Sequence, residues 1–290
     1  MQRRTFVTAS AASLAFPSLM AQTLPSGPIR ILVGFAPGGG TDILARVMGQ
    51  KLGAMWNTTV VVENRAGATG TIAADYVAHQ PGDGATLFMA HINSQAIAPA
   101  LMKLNYNAET DFQPIALVGV TPNLLICNES QPAKTVKDLV ELCKKNPGKI
   151  SFGSAGNGSA QHLALEMFKL AAGITATAAT PHVKNGKAIA IAQTRQSRAK
   201  GHPNVPTMSE SGFPGFEATT WYGLVGPAKM PVAMAKRMNE DINKVLAMPD
   251  VIEKFEQYGA EDGGGSTEKF ASFMQVEARK WAKVVKDANV

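Results

Sequence analysis

The sequence has few cysteines and no long apolar run. Only two of its 290 residues are cysteines, Cys127 and Cys143, and neither belongs to a CxxC pair. Zinc sites and thioredoxin-like redox sites use closely spaced cysteines, so neither is indicated. A disulfide between the two stays open, although Cys127 is better explained as a small apolar residue in a core. No uninterrupted apolar stretch of about 18 residues occurs, so no transmembrane helix is predicted.

The signatures of common enzyme classes are also missing. A dinucleotide-binding G-x-G-x-x-G fingerprint fails because its sixth position is Ile43 when counted from Gly38 and Gln161 when counted from Gly156. The Gly-Lys-Ser/Thr of a phosphate-binding Walker loop does not occur. No metal-binding spacing is present among the five histidines, His79, His91, His162, His182 and His202. We therefore predict no catalytic residue, no metal site and no cofactor.

Charge is sparse and mildly positive. Charged residues make up 17% of the chain, and 28 Lys and Arg against 22 Asp and Glu give a formal net charge of +6. The basic residues are scattered, so nucleic acid is not predicted as a partner. A small anionic ligand suits this balance better. The hydrophobic content of 45% indicates a globular chain, and the length indicates about two domains.

Residues 1–21 are predicted to be a signal peptide that directs the protein to the periplasm. Arg3 and Arg4 precede an apolar stretch over 6–16, and Ala21 fits the small-residue rule for cleavage before Gln22. The arginine pair is typical of a twin-arginine signal but is equally compatible with an ordinary secretory signal. Both export routes stay open.

Short apolar runs alternate with helical periodicity along the rest of the chain. A predicted strand over 29–35 runs into glycines and a helix, and a strand over 150–154 followed by a helix over 160–172 repeats this pattern. Strand–helix–strand alternation predicts an α/β fold with parallel strands. Two such units in series indicate two lobes, and the pattern leaves open which lobe the last helices join.

Two glycine-rich loops between a strand and a helix are the strongest candidates for a binding site. The free N–H groups and the dipole at a helix N-terminus attract anions, and glycines let a ligand approach the backbone closely. Ligands in open α/β sheets bind beyond the carboxyl ends of the strands, where both loops lie. Either loop alone is better explained as a capped turn, but the pair favours anion binding. The candidate residues are Gly39, Gly40, Thr41, Ser154, Ala155, Gly156, Asn157, Gly158 and Ser159.

A third loop over 91–95 leaves the carboxyl end of another predicted strand. It carries His91 and Ser94, which either reach the same cleft or belong to a solvated connection. Phe35 ends the first predicted strand and joins the candidate set. Asp42 is also included, although a role at the helix start is favoured because its carboxylate would repel an anion. Candidates for either a cleft wall or the core are Trp221 and Tyr222, with the core favoured for Trp221.

Six short motifs stand in a fixed order along the chain. They are PIR (28–30), APGGGTD (36–42), VENR (62–65), SAGNGS (154–159) followed by HL (162–163), NVPT (204–207) and WYGL (221–224). In this order the chain resembles the Bug (TctC-like) extracytoplasmic solute receptors of tripartite tricarboxylate transporters. The resemblance runs from about residue 28 to the carboxyl end.

This resemblance implies a two-lobed, periplasmic-binding-protein-like α/β fold with parallel-rich sheets. The first lobe would comprise 27–104 and 221–290, and the second 105–220. A small organic carboxylate would bind between the 38–42 and 154–159 loops, and the receptor would deliver it to the membrane permease subunits of the transporter. The ligand would be a dicarboxylate, a tricarboxylate, an acidic amino acid or an aromatic acid.

The chain departs from the family pattern in the second lobe. Only seven residues separate Gly173 from Pro181, where the family has a further strand–helix–strand unit of roughly thirty residues. A parallel strand needs a crossover of about a dozen residues or more, so this junction cannot hold the unit. We expect a second lobe with exposed strand edges. Two alternatives to a working receptor stay open: a degenerate non-binding paralogue, and an exported α/β hydrolase that uses the loops to hold an anion.

Overall fold

The structure is a computed structural model that describes residues 24–154, 156–175, 177–179 and 188–290. The predicted signal peptide, the candidate site residue Ala155 and the stretch 180–187 lie outside the described residues. None of the helices that the structure describes combines the length and the hydropathy needed to span a bilayer.

The described chain alternates between strands and helices. The strands are β1 Ile29–Val33, β2 Val60–Asn64, β3 Thr86–His91, β4 Phe112–Thr121, β5 Leu124–Asn128, β6 Ser151–Gly153, β7 Thr177–Ala179, β8 Ala188–Gln193 and β9 Thr220–Pro227. The helices are α1 Gly40–Trp56, α2 Thr71–Ala78, α3 Ala98–Leu101, α4 Val136–Lys145, α5 Ala160–Ala172, α6 Val232–Leu246, α7 Pro249–Gln257 and α8 Thr267–Ala288. The predicted α/β class is confirmed.

A five-stranded sheet in the order β2-β1-β3-β9-β4 forms the larger part of the fold. β1 is parallel to β2 and β3, whereas β9 runs antiparallel to β3 and β4. Every residue of β3 and β9 is buried, as expected for strands that are covered on both faces. One face packs against α1 and α6, and the other packs against α2 and α8.

Four strands within the range predicted for the second lobe form two separate pairs. β5 pairs antiparallel with β8, and β6 pairs parallel with β7. Among the described residues, no strand joins these two pairs into one sheet. This arrangement agrees with the expectation of a sheet that lacks part of its strands. The five-stranded sheet is mixed, whereas the β5–β8 pair is antiparallel and the β6–β7 pair is parallel.

We keep the predicted division into two lobes as a proposal. β4 falls inside the range assigned to the second lobe, although it pairs with β9 in the five-stranded sheet. The two lobes are in contact, because α5 packs against α8 and one core cluster includes Leu163 of α5 together with Trp281 of α8.

Cys127 and Cys143 are both buried and carry free thiols.

Candidate functional site

The first glycine-rich loop leaves the N-terminus of α1 without a side-chain cap. Gly39, which precedes the helix, is extended (φ −79°, ψ 166°) and no side chain caps this helix end. Gly38 has a φ of 87°, which favours glycine because a Cβ there is strained. The first N–H groups of a helix have no acceptor inside the helix, so this end can bind an anion.

Asp42 is buried, and its carboxylate stabilises the first loop. Oδ2 accepts hydrogen bonds from the Gly38 N–H and from Arg46 Nε, both at 2.9 Å, and Oδ1 accepts one from Asn64 Nδ2 at 2.8 Å. Burial on its own would raise the pKa of Asp42, but these hydrogen bonds, with Arg46 foremost, outweigh it and hold the pKa below its usual value. Asp42 thus positions the loop, which agrees with the preference for a role at the helix start.

We expect Asp42→Asn to lower the free energy of unfolding by about 1–3 kcal/mol at pH 7, because the amide cannot accept all of these hydrogen bonds. The lowered pKa means that the charged carboxylate stabilises the fold above its unfolded pKa of 3.8 and that this stability is lost as pH falls through the folded pKa. Urea unfolding at several pH values should therefore show the two proteins converging in acid.

The matched control for this prediction is Asp287→Asn. Asp287 forms an exposed ion pair with Lys283 near the end of α8, so its replacement should change stability by less than about 0.5 kcal/mol. Equal stability of Asp42→Asn and the wild-type protein at pH 7 would contradict the assigned role.

Three rings form a wall beside the first loop. The centroids of Phe35 and His91 lie 4.6 Å apart, and those of His91 and Tyr222 lie 5.3 Å apart. A Cβ added at Gly40 would lie 3.5 Å from Tyr222 Oη, so this hydroxyl sits next to the start of α1. Burial also raises the pKa of Tyr222, which keeps the hydroxyl protonated. Tyr222 therefore belongs to the wall, whereas Trp221 is fully buried in the core.

His91 contributes no positive charge to the site. It is buried, and burial lowers its pKa to about 3, so the ring is neutral at neutral pH. Nδ1 accepts a hydrogen bond from the Asn93 N–H at 3.1 Å, so the proton of the neutral ring is on Nε2. Ser94 is fully buried and its hydroxyl donates to the His91 carbonyl at 3.1 Å. Both predicted residues thus belong to the packed support of the site.

The second glycine-rich loop differs from the first because a side chain caps the helix that follows it. Ser159 caps α5, with its hydroxyl oxygen accepting from the His162 N–H at 3.2 Å. Nδ1 of His162 in turn accepts from the Gly158 N–H at 3.2 Å, and Ser154 Oγ accepts from the Gly156 N–H at 3.4 Å. Ser154 and Ser159 are buried. Among the described residues of this loop, Asn157 is exposed.

Asn93 connects the second loop to the five-stranded sheet. Its Oδ1 accepts a hydrogen bond of 3.2 Å from the N–H of Ala160, the first residue of α5. A Cβ added at Gly158 would lie 3.0 Å from Leu101 Cδ1, so a second residue from the region after β3 also contacts this loop. Nothing local in the sequence marks Asn93 as a site residue, because its amide acts on a residue 67 positions away.

The first loop, Phe35, His91 and Tyr222 are thus brought together, and Asn93 links them to the second loop. In the described part of the chain, no group of three or more His, Cys, Asp or Glu could hold a metal ion.

Comparison with known sequences identifies the family. The profile of the family described as "Tripartite tricarboxylate transporter family receptor" matches residues 44–179 and 171–290. A protein from Pseudomonas sp. (strain P51), described as "UPF0065 protein in tcbD-tcbE intergenic region", is 31% identical over 317 aligned positions, which cover 98% of this chain and 94% of that protein.

Solved structures confirm the predicted fold. The periplasmic binding protein BugD is 31% identical with a TM-score of 0.79, and 92% of this chain and 99% of that chain are covered. MatC from Rhodopseudomonas palustris with bound malate is 27% identical with a TM-score of 0.79, covering 90% and 99%. R. palustris Rpa4515 with adipate is 28% identical with a TM-score of 0.81, covering 91% and 98%.

The alignments also bear on the short junction in the second lobe. The alignment with the Pseudomonas protein has 317 positions, but 98% of this 290-residue chain is only about 284 residues. About 33 aligned positions therefore have no residue in this chain. The family profile matches in two parts that overlap at 171–179, close to the short junction after Gly173.

The family model is described as a transporter receptor and BugD as a periplasmic binding protein, so the chain is classed with receptors and not with enzymes. Because the family profile matches most of the length of this chain, the chain belongs to the tripartite tricarboxylate transporter receptors, the Bug or TctC-like solute receptors.

Proposed function

We propose that this chain is a periplasmic receptor that binds a small organic carboxylate and delivers it to the membrane permease subunits of a tripartite transporter. The observation that carries the proposal is the N-terminus of α1, which has no side-chain cap and lies beside the Tyr222 hydroxyl. Export would depend on residues 1–21, and the permease partner follows from the family to which the chain belongs.

The chemistry of the first loop favours a carboxylate over a neutral ligand. Backbone N–H groups and the positive end of the α1 dipole stabilise negative charge, and the neutral His91 ring adds none of its own. The carboxylate of Asp42 forms an ion pair with Arg46, so the positive charge of Arg46 offsets the repulsion that Asp42 would exert on an anion at the N-terminus of α1. Hydrogen bonds to an ionised ligand contribute about 1.5–3 kcal/mol each.

Relatives with bound ligands support the same class. MatC holds malate and Rpa4515 holds adipate, both of which are dicarboxylates. Dicarboxylates are therefore the first ligands to test, ahead of tricarboxylates, acidic amino acids and aromatic acids.

The proposal predicts that one or more carboxylates raise the melting transition of the protein from Gln22 onward. A ligand that binds only the folded state stabilises it by about 2.7 kcal/mol at a hundred times its dissociation constant. We would record thermal melts with malate, adipate, citrate, glutamate and benzoate, each beside its neutral amide. A shift with an acid and not with its amide supports the proposal. No shift with any acid would favour a receptor that has lost binding, and equal shifts with acid and amide would exclude carboxylate recognition.

A further inference from the structure

Gln95 is a buried residue whose side-chain amide makes no hydrogen bond. The residue is 3% exposed, and neither Oε1 nor Nε2 has a partner in the described chain. Most buried polar groups in folded proteins are paired, because an unpaired one has lost its hydrogen bonds to water without replacement. Gln95 belongs to a single π-helical turn, Asn93–Ile97, which follows β3. Such turns are rare and occur frequently at functional sites.

Gln95 lines two adjoining cavities between the 99–109 segment and α8. Their volumes are about 400 Å³ and 140 Å³, and Ala108, Glu109 and Ala278 also line both, so together they form one groove that we call the Gln95 groove. The larger volume is within the roughly 300–1,000 Å³ of pockets that hold small molecules. Neither glycine-rich loop lines the groove, so it is separate from the site at α1. β7 and β8, which flank the stretch 180–187, do not line it either.

Two opposite charges line the larger cavity. They belong to Lys103 and Glu109, which are both exposed and which form no ion pair among the described residues. The Tyr106 hydroxyl also lines this cavity, but it already donates a hydrogen bond of 2.6 Å to the Ser94 carbonyl. The groups that can still bind a ligand are therefore one cation, one anion and the Gln95 amide, which offers both a donor and an acceptor. A ligand of a single charge would leave one of the two charged residues without a partner.

We propose that the Gln95 groove binds a small zwitterion of the amino-acid type that carries a carboxamide. Its carboxylate pairs with Lys103, its ammonium group pairs with Glu109, and its carboxamide exchanges hydrogen bonds with the Gln95 amide. The Gln95 amide is enclosed, so it meets the ligand through a rotation of its side chain, and this rotation breaks no hydrogen bond. Because exposed ion pairs contribute little, the amide determines most of the preference among zwitterions. The inference is independent of carboxylate binding at α1.

The test compares L-glutamine with L-methionine by calorimetric titration of the protein from Gln22 onward. The two amino acids have nearly the same shape and the same charges, but only L-glutamine carries an amide. We expect L-glutamine to bind and L-methionine to bind about tenfold more weakly, because it would leave the Gln95 amide unpaired. N-acetyl-L-glutamine, which lacks the ammonium charge, should bind about threefold more weakly than L-glutamine. Absence of L-glutamine binding, or equal affinities for L-glutamine and L-methionine, would overturn the proposal.

Gln95→Met removes the amide and keeps the length of the side chain. We expect this variant to be at least as stable as the wild-type protein in urea unfolding, because it loses no hydrogen bond and no longer buries an unpaired amide. Its affinities for L-glutamine and L-methionine should be within about twofold of each other. A preference for L-glutamine that persists in this variant would overturn the proposal. The matched control is Gln50→Met, which should keep the preference, since Gln50 is exposed on α1 and lines neither cavity.

Two further variants locate the bound amino acid. Lys103→Met changes an exposed residue and should weaken L-glutamine binding about threefold, which also tests the groove if Gln95→Met fails to fold. Wild-type affinity in Lys103→Met would contradict the ion pair and overturn the assigned ligand class. Gly40→Pro changes only the start of α1 and should leave L-glutamine binding within about twofold of the wild-type value. Loss of L-glutamine binding in Gly40→Pro would assign it to the carboxylate site and would overturn the proposal.

Discussion

Replacing Gly40 by proline is expected to weaken carboxylate binding by at least tenfold, with little change in the melting temperature. Gly40 is the first residue of α1, where helices tolerate proline because the N–H has no acceptor within the helix. Gly39 is extended, which is the conformation that a residue before proline prefers. Proline therefore fits the backbone and removes one N–H. If that N–H binds the ligand, the loss is a charge-assisted hydrogen bond of about 1.5–3 kcal/mol, or roughly 10- to 150-fold.

Gly40→Ala is the matched control for this substitution. Alanine adds a Cβ at the same place but keeps the N–H, and the added atom would lie at an ordinary contact distance of 3.5 Å from Tyr222 Oη. We expect its dissociation constant to stay within about twofold of the wild-type value when measured calorimetrically with the acid that gives the largest melting shift. Wild-type affinity in the proline variant would show that the N-terminus of α1 does not bind the ligand.

Gly34→Ala is expected to destabilise the protein by about 3 kcal/mol, at the upper end of the range for overpacking. An added Cβ would lie 2.5 Å from Gly70 Cα and 3.0 Å from its carbonyl oxygen, so the obstacle is backbone that no side-chain rotation relieves. The end of β1 and the 67–70 turn approach so closely that both carry glycine at the contact. Because Phe35 follows directly, separating the two segments also displaces the ring wall of the site.

The control for Gly34→Ala is Gly27→Ala, since nothing lies within 4 Å of a Cβ added at Gly27. Urea unfolding of both variants checks the prediction, and we expect the control to match the wild-type protein within about 0.5 kcal/mol. Similar stability of the two variants would contradict the close approach of Gly34 and Gly70.

Local signals in the sequence predicted the glycine loops and the helices that follow them. The helix predicted over 160–172 coincides with α5 because both of its ends are marked, by the Ser159 cap and by Gly173 in the left-handed conformation. The sequence did not lead to a prediction of α7, even though Pro249 stands at its first position. The short junction after Gly173 was recognised because the chain departs there from the pattern of the family that it resembles, and its length then excluded a crossover helix.

The tertiary contacts of the site could not be predicted in the same way. The hydrogen bond from Asn64 to Asp42 joins residues 22 positions apart, and the tilted ring contact of Phe35 with His91 joins the ends of two different strands. Such contacts depend on how β1, β2 and β3 are ordered in the sheet, which hydrophobic patterns do not determine. The two glycine-rich loops look equivalent in the sequence for the same reason. In the structure, the helix after the second loop donates a hydrogen bond to Asn93, a residue from a distant part of the chain.

The side-chain oxygen of Asn93 accepts a hydrogen bond from the Ala160 N–H. A ligand that binds the second loop through this N–H must therefore compete with Asn93. A ligand oxygen that accepts from the Ala160 N–H has to displace the amide oxygen of Asn93, which the chain already holds close by. A neutral carbonyl oxygen then replaces one neutral hydrogen bond by another of similar strength. A carboxylate gains, since hydrogen bonds to ionised acceptors are roughly twice as strong as neutral ones. Every 1.4 kcal/mol by which the hydrogen bond between Ala160 and Asn93 is favoured over its broken state weakens the apparent affinity of the loop for a ligand about tenfold. If the proposed ligand binds at this loop, Asn93 is expected to favour a negatively charged solute over a neutral one of the same shape.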